Sequence, residues 1–270
     1  MFAGLTYNNN KRRFLMTRST PNPWLFIPKP QPTATLRLIC FPYAGGSAQI
    51  FYPWINLLPD WVELVAVQLP GRSTRMSEPA LMDTAAIMQA LLPQISPILN
   101  QPYVLFGHSL GATLAFEMMR YCRLHHLRQP ALFMPAGRRA PHITDLSPPT
   151  WQLPDAQFIE KLRVLNGTPQ SVLEHEELMQ LVLPVLRADF AVAEQYQYQP
   201  QSKLTVPFYV LGGEQDEANH TEQAMQAWQQ HTSADFKSAL LSGDHFFIHS
   251  QEKQLLDLVN AALLHVVARE

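Results

Sequence analysis

From Thr35 onward, short continuous apolar runs alternate with stretches whose apolar positions recur every three or four residues. The runs 35–41, 62–68, 103–106, 131–136, 206–211 and 236–241 have the length and the branched or aromatic content of strands. Between them the spacing predicts helices. One ends near Leu58, and one covers 84–98 with Ile87, Leu91, Leu92 and Ile95 on a single face. Others cover 112–124, about 221–231 and about 251–267. Strands without polar alternation belong in a sheet covered on both faces, so the pattern predicts an α/β architecture with a mostly parallel central sheet flanked by helices.

Between about 141 and 190 the alternation fails. Pro141, Pro148, Pro149, Pro154, Pro169 and Pro184 fall there, and the apolar spacing is helical. This predicts a small helical insertion between two strands, placed above the strand C-terminal ends where ligands bind in such sheets. Residues 21–270 form a single domain in this reading. Residues 1–20, which include Asn8-Asn9-Asn10-Lys11-Arg12-Arg13, read as a polar tail outside it, with Met16 as a second candidate start.

Composition narrows the function classes. With 20 Lys and Arg against 22 Asp and Glu, the net charge of −2 gives no reason to expect nucleic acid or a membrane surface as partner. No apolar run approaches bilayer-spanning length, and the N-terminus lacks a signal-peptide core. The two cysteines, Cys40 and Cys122, lie in apolar patterns without His or Cys neighbours. They read as buried thiols rather than a disulfide or metal set, which favours a reducing, cytoplasmic setting.

The chemistry begins at Gly107-His108-Ser109-Leu110-Gly111. Five loosely specified residues mean little alone. Here Val104-Leu105-Phe106 precedes them as a strand and Ala112–Glu117 follows as a helix, which makes the segment a nucleophile elbow with Ser109 at its tip. Serine needs a base, and the base needs an orienting acid. His245 lies in a loop between the last strand and the last helix. His249 is its nearest competitor, while His125, His126 and His220 fall on helices or their ends. For the acid, Asp216 follows a strand ending in Gly212-Gly213, with Glu214 and Asp189 as alternatives and Asp244 disfavoured by adjacency to His245. An oxyanion hole would use the backbone N–H of Leu110 and one from Tyr43 or Ala44 in Phe41-Pro42-Tyr43-Ala44-Gly45-Gly46. Tyr43, His108 and Phe246 are candidate substrate or lid contacts.

At this point the sequence resembles the type II thioesterases of nonribosomal peptide and polyketide synthases, members of the α/β-hydrolase superfamily. The markers are Cys40–Ser47, Gln68-Leu69-Pro70-Gly71-Arg72, Phe106–Ala112, Arg187-Ala188-Asp189-Phe190 and Gly243-Asp244-His245-Phe246-Phe247. In one place the chain departs: Ser73 follows Gly71-Arg72 where the family often carries an acid. The resemblance implies the triad Ser109, Asp216 and His245, the lid at 141–188, and hydrolysis of acyl groups from phosphopantetheine on carrier domains. It also implies a monomer that needs no cofactor of its own. Carrier domains are usually acidic, so Arg120, Arg123 and Arg128, with His125 and His126, are a docking candidate. A solvated helix end complementing the dipole is the alternative, and Arg138 with Arg139 is a second basic pair.

Overall fold

The computed structural model describes residues 22–145, 147–216 and 222–269. The expected tail over 1–20, Met16 and His220 lie outside the described residues. Seven strands form one sheet: β1 (Leu25–Phe26), β2 (Leu36–Phe41), β3 (Val62–Val67), β4 (Tyr103–His108), β5 (Leu132–Ala136), β6 (Phe208–Gly213) and β7 (Phe236–Leu241). Their order is β1-β3-β2-β4-β5-β6-β7. Every pairing is parallel except that of β1, which runs antiparallel to β3 through Leu25 opposite Val67. This is the α/β-hydrolase arrangement that the apolar pattern and the resemblance predict. The two-residue β1 escapes that pattern because it is too short to show a period.

Both faces of the sheet are covered. One core joins Ile39, Val65, Leu105 and Phe133 to α1 (Thr84–Ile95) and α2 (Leu110–Leu124). The other joins Leu38, Leu64, Val104 and Phe106 to Trp54 and to α8 (Glu252–Val267). Odd and even positions of β2 and β4 therefore serve opposite cores, and β4 is buried throughout.

Two helices differ from their prediction. Residues Ala48–Asn56 form a 3₁₀ helix with Pro53 inside it, where the missing N–H works against a regular α-helix. The segment after β6 divides into a short α6 (Glu222–Gln226) and a 3₁₀ turn, Ala227–His231.

Between β5 and β6 lie α3 (Asp155–Leu165), α4 (Gln170–Leu173) and α5 (Glu176–Gln195). They share a separate apolar cluster of Phe158, Leu162, Leu173, Met179 and Leu186. The last helix runs past residue 188 to Gln195, and its Val192 belongs to the main core. A short α7 (Phe247–Ser250) precedes α8.

Candidate active site

Strand β4 ends at His108, and α2 begins at Leu110, so Ser109 alone makes the turn. It does so at φ 54°, ψ −117°, a strained conformation for a residue with a side chain. Its amide is held by the Ala136 carbonyl of β5 at 2.8 Å. The turn is tight enough to forbid side chains on either side. A Cβ at Gly107 would lie 2.3 Å from the Gly111 carbonyl oxygen, and one at Gly111 would lie 2.1 Å from that of Phe41. The second contact shows that the elbow packs directly on the backbone entering the 42–46 loop.

Two further loops converge on Ser109. His245 Nε2 lies 2.9 Å from Ser109 Oγ, and His245 Nδ1 lies 2.7 Å from Asp216 Oδ2. A carboxylate only accepts, so Nδ1 carries the proton and Nε2 is left to accept from the serine hydroxyl. Asp216 is buried. The loops carrying acid and histidine are laced together: Glu214 N donates to Leu241 O at 2.8 Å, Gln215 N donates to Gly243 O at 2.9 Å, and the Gln215 side chain accepts from Gly243 N.

The competing acids have other tasks. Glu214 is exposed. Asp244 caps the Phe246 amide at 2.8 Å. Asp189 is buried on α5, where it pairs with Arg72. Of the competing histidines, His249 lies in α7 and is hydrogen-bonded to Tyr43 Oη at 2.8 Å. Burial lowers the pKa of His249 and raises that of Tyr43, so both stay neutral near pH 7.

His108 sits beneath the triad, fully buried. Its Nε2 donates to the carbonyl of His245 at 2.8 Å, and burial, followed by the neighbouring His245, pushes its pKa well below the ordinary value. Tyr43 stands edge-on to both His108 and Phe246, with ring centres 5.9 and 5.2 Å away. The turn between α3 and α4 rests on this group. Asn166 Nδ2 donates to Asp244 Oδ2 at 3.4 Å, and a Cβ on Gly167 would lie 2.2 Å from the Phe246 ring. Tyr43 and Phe246 thus stand beside the triad, whereas His108, expected as a substrate or lid contact, is fully buried and instead supports the His245 backbone.

In the cationic stretch, Arg123 lies in the last turn of α2, where a cation complements the helix dipole. Arg120 is buried, donating to Glu117 Oε1 and to the Gln199 carbonyl, each at 2.5 Å. Arg123 donates to Ser202 O at 2.8 Å and Arg128 to Asn100 O at 3.3 Å. Arg120 and Arg123 thus fasten α2 to the 199–203 segment, while Arg128 is exposed in the loop after α2. Arg138, half-buried, donates to Ala193 O at 3.3 Å, and Arg139 pairs with Asp145 at 3.2 Å.

A family model described as "Thioesterase domain" matches residues 36–263, from the start of β2 into α8. The chain belongs to the thioesterase family. Linear gramicidin dehydrogenase LgrE of Brevibacillus parabrevis is 43% identical over 250 residues, 92% of this chain and 95% of its own. Gramicidin S biosynthesis protein GrsT of Aneurinibacillus migulanus is 37% identical over 93% of this chain and 97% of its own. Among solved structures, the type II thioesterase BorB from the borrelidin biosynthetic cluster superposes with a TM-score of 0.80 at 34% identity, covering 87% of this chain and 96% of that one. The first of these names speaks of a dehydrogenase. In the present thioesterase, neither the turn after β2 nor that after β4 carries the G-x-G-x-x-G fingerprint of a dinucleotide site.

Sequence reasoning singled out Arg72 and Asp189 within two markers but assigned them no joint task. In this thioesterase they form a bidentate pair, Arg72 Nη1 to Asp189 Oδ2 at 2.5 Å and Arg72 Nη2 to Asp189 Oδ1 at 2.8 Å. The two residues are 117 positions apart, and no local signal joins them. Among the described residues, no group of three or more His, Cys, Asp or Glu is placed to hold a metal ion.

Proposed function

We propose that this thioesterase hydrolyses acyl or aminoacyl thioesters from the phosphopantetheine arm of carrier domains in a nonribosomal peptide or polyketide synthase, using Ser109, His245 and Asp216 as its triad. One observation carries the reading: His245 bridges Ser109 Oγ and Asp216 at 2.9 and 2.7 Å at the C-terminal edge of the sheet. Full-length similarity to enzymes of peptide and polyketide assembly supports the substrate class.

The chemistry follows from that geometry. Ser109 Oγ attacks the thioester carbonyl while its proton passes to His245 Nε2, and the imidazolium is steadied by Asp216. The developing oxyanion lies against the N–H groups of Leu110 and Ala44. As the C–S bond breaks, His245 returns the proton to the pantetheine thiolate. Water then gives a proton to His245 and attacks the acyl-Ser109 ester, releasing the free acid. Tyr43 and Phe246, under a lid built from α3 to α5, border the acyl group, and the buried His108 lies behind them. The prosthetic arm comes with the carrier, so the enzyme supplies no cofactor. The reduced state of Cys40 and Cys122 supports work in the cytoplasm, where the enzyme acts as a monomer.

The test offers acyl-carrier protein, acyl-coenzyme A and an aryl ester to the enzyme and to its Ser109→Ala variant. Preference for the carrier-bound thioester, lost in the variant, is expected. Equal turnover by the variant would remove the serine, and a strong preference for the oxygen ester would remove the thioesterase reading.

A further inference from the structure

The loop that follows β2 is pinned from two directions by one buried ion pair. Asp189 Oδ2 accepts from Gly45 N at 2.6 Å as well as from Arg72. Arg72 Nη1 donates in turn to Gly46 O at 3.3 Å. Both side chains are almost wholly buried, at 7% and 1% exposure. Gln68 supports the far side: its Oε1 accepts from Ala48 N at 3.1 Å and its Nε2 donates to the Arg72 carbonyl at 3.3 Å. The turn also packs closely against α5. Gly45 has φ +78°, and a Cβ there would stand 2.5 Å from Leu186 of α5.

We infer that Arg72 and Asp189 are a positioning pair that fixes the 43–46 turn, and with it the Ala44 N–H, so that the oxyanion donor stays in place only while α5 is seated. The inference rests on the proposed reading of Ala44 as a donor. Its physical basis is the cost of misplacement. A donor must sit within a few tenths of an ångström of the developing charge, and losing one typically costs about a hundred- to a thousandfold in rate. A backbone N–H on a glycine-rich turn has no stiffness of its own. Here the amide next along the chain, at Gly45, is held by a carboxylate that cannot move without abandoning the Arg72 guanidinium. Because Asp189 belongs to α5, a shift of that helix by the substrate would be felt directly at the turn.

Arg72→Lys and the double variant Arg72→Met/Asp189→Leu separate positioning from stability. The first keeps the charge but loses the two-pronged grip. The second removes both buried charges together, a replacement that is often neutral for folding, and removes the acceptor for Gly45 N. Each is assayed on a simple aryl ester, so carrier recognition plays no part, and for inhibition by an alkyl boronic acid, which adds to a serine Oγ as a tetrahedral anion. We expect kcat of the double variant to fall about thirty- to hundredfold with KM within about threefold, and boronate affinity to fall by the same factor. Binding of the product carboxylate should stay as in the parent. Arg72→Lys should lie between. A folded double variant, or a folded Arg72→Lys, with parental kcat and boronate affinity would overturn the inference. Ser109→Ala, run beside them, separates the two readings: turnover surviving in it would count against the triad and not against the pair.

Discussion

His108 donates its Nε2 proton to the backbone carbonyl of His245, 2.8 Å away, so the residue before the elbow supports the loop that carries the base. The consequence is a division of labour between adjacent positions on one turn. Ser109 Oγ faces the His245 ring, and His108 holds the loop that carries that ring. Replacing His108 by Ala leaves a buried carbonyl unsatisfied, worth about 1–3 kcal/mol. We expect a melting temperature several degrees lower and an acylation rate about tenfold slower, with His108→Gln recovering part of both. Stopped-flow acylation beside a thermal melt checks this.

Ser109 is held at φ 54° and ψ −117°, which favours a residue without a side chain. Ser109→Gly should therefore abolish turnover and raise stability by about 1 kcal/mol, since strain of this kind is stored at functional turns. Ser109→Ala should lose activity equally, by more than about a thousandfold, without that gain. Differential scanning calorimetry of the two variants side by side distinguishes them.

Asp216 and Glu214 stand two residues apart in one loop, yet only Asp216 reaches His245. Asp216→Asn should preserve the fold and reduce kcat by about a thousand- to ten-thousandfold, because the amide favours the wrong imidazole tautomer. Glu214→Gln should leave kcat within about twofold. Steady-state kinetics at pH 7 and above decides between them.

A second histidine pair gives a pH signature remote from the triad. His231 Nε2 lies 2.7 Å from His142 Nδ1, and burial, with His142, Arg120 and Lys203 nearby, lowers the His231 pKa to about 4. Its neutral form is thus favoured by folding. The stability it contributes is fully present above the unfolded value of about 6.5 and is lost as pH falls from there toward 4. Melting temperature should decline between pH 6.5 and 4, and His231→Gln should flatten that decline.

Much of this was legible in the sequence because the relevant physics is local. A buried strand, a serine between glycines and a following helix define the elbow within a dozen residues. His245 and Asp216 stand out in the sequence because each follows a strand, and strand ends in a parallel sheet gather at one edge. Interactions between distant positions left no such trace. Arg120 looks solvated in sequence because one of its acceptors is a backbone carbonyl, that of Gln199, 79 positions away. The chain joins Arg72 to Asp189 only after the insertion has folded back over β3.

Helix α5 has two allegiances. Its first half, through Met179 and Leu186, belongs to the small cluster of the insertion, and its second half, through Val192, belongs to the main core. The insertion is therefore no detachable cassette with a seam at each end. Its outer part, α3 and α4, touches the site only through the turn between them, on Phe246 and Asp244. Any graft that reaches Asp189 exchanges the anchor of the Gly45 amide along with the roof.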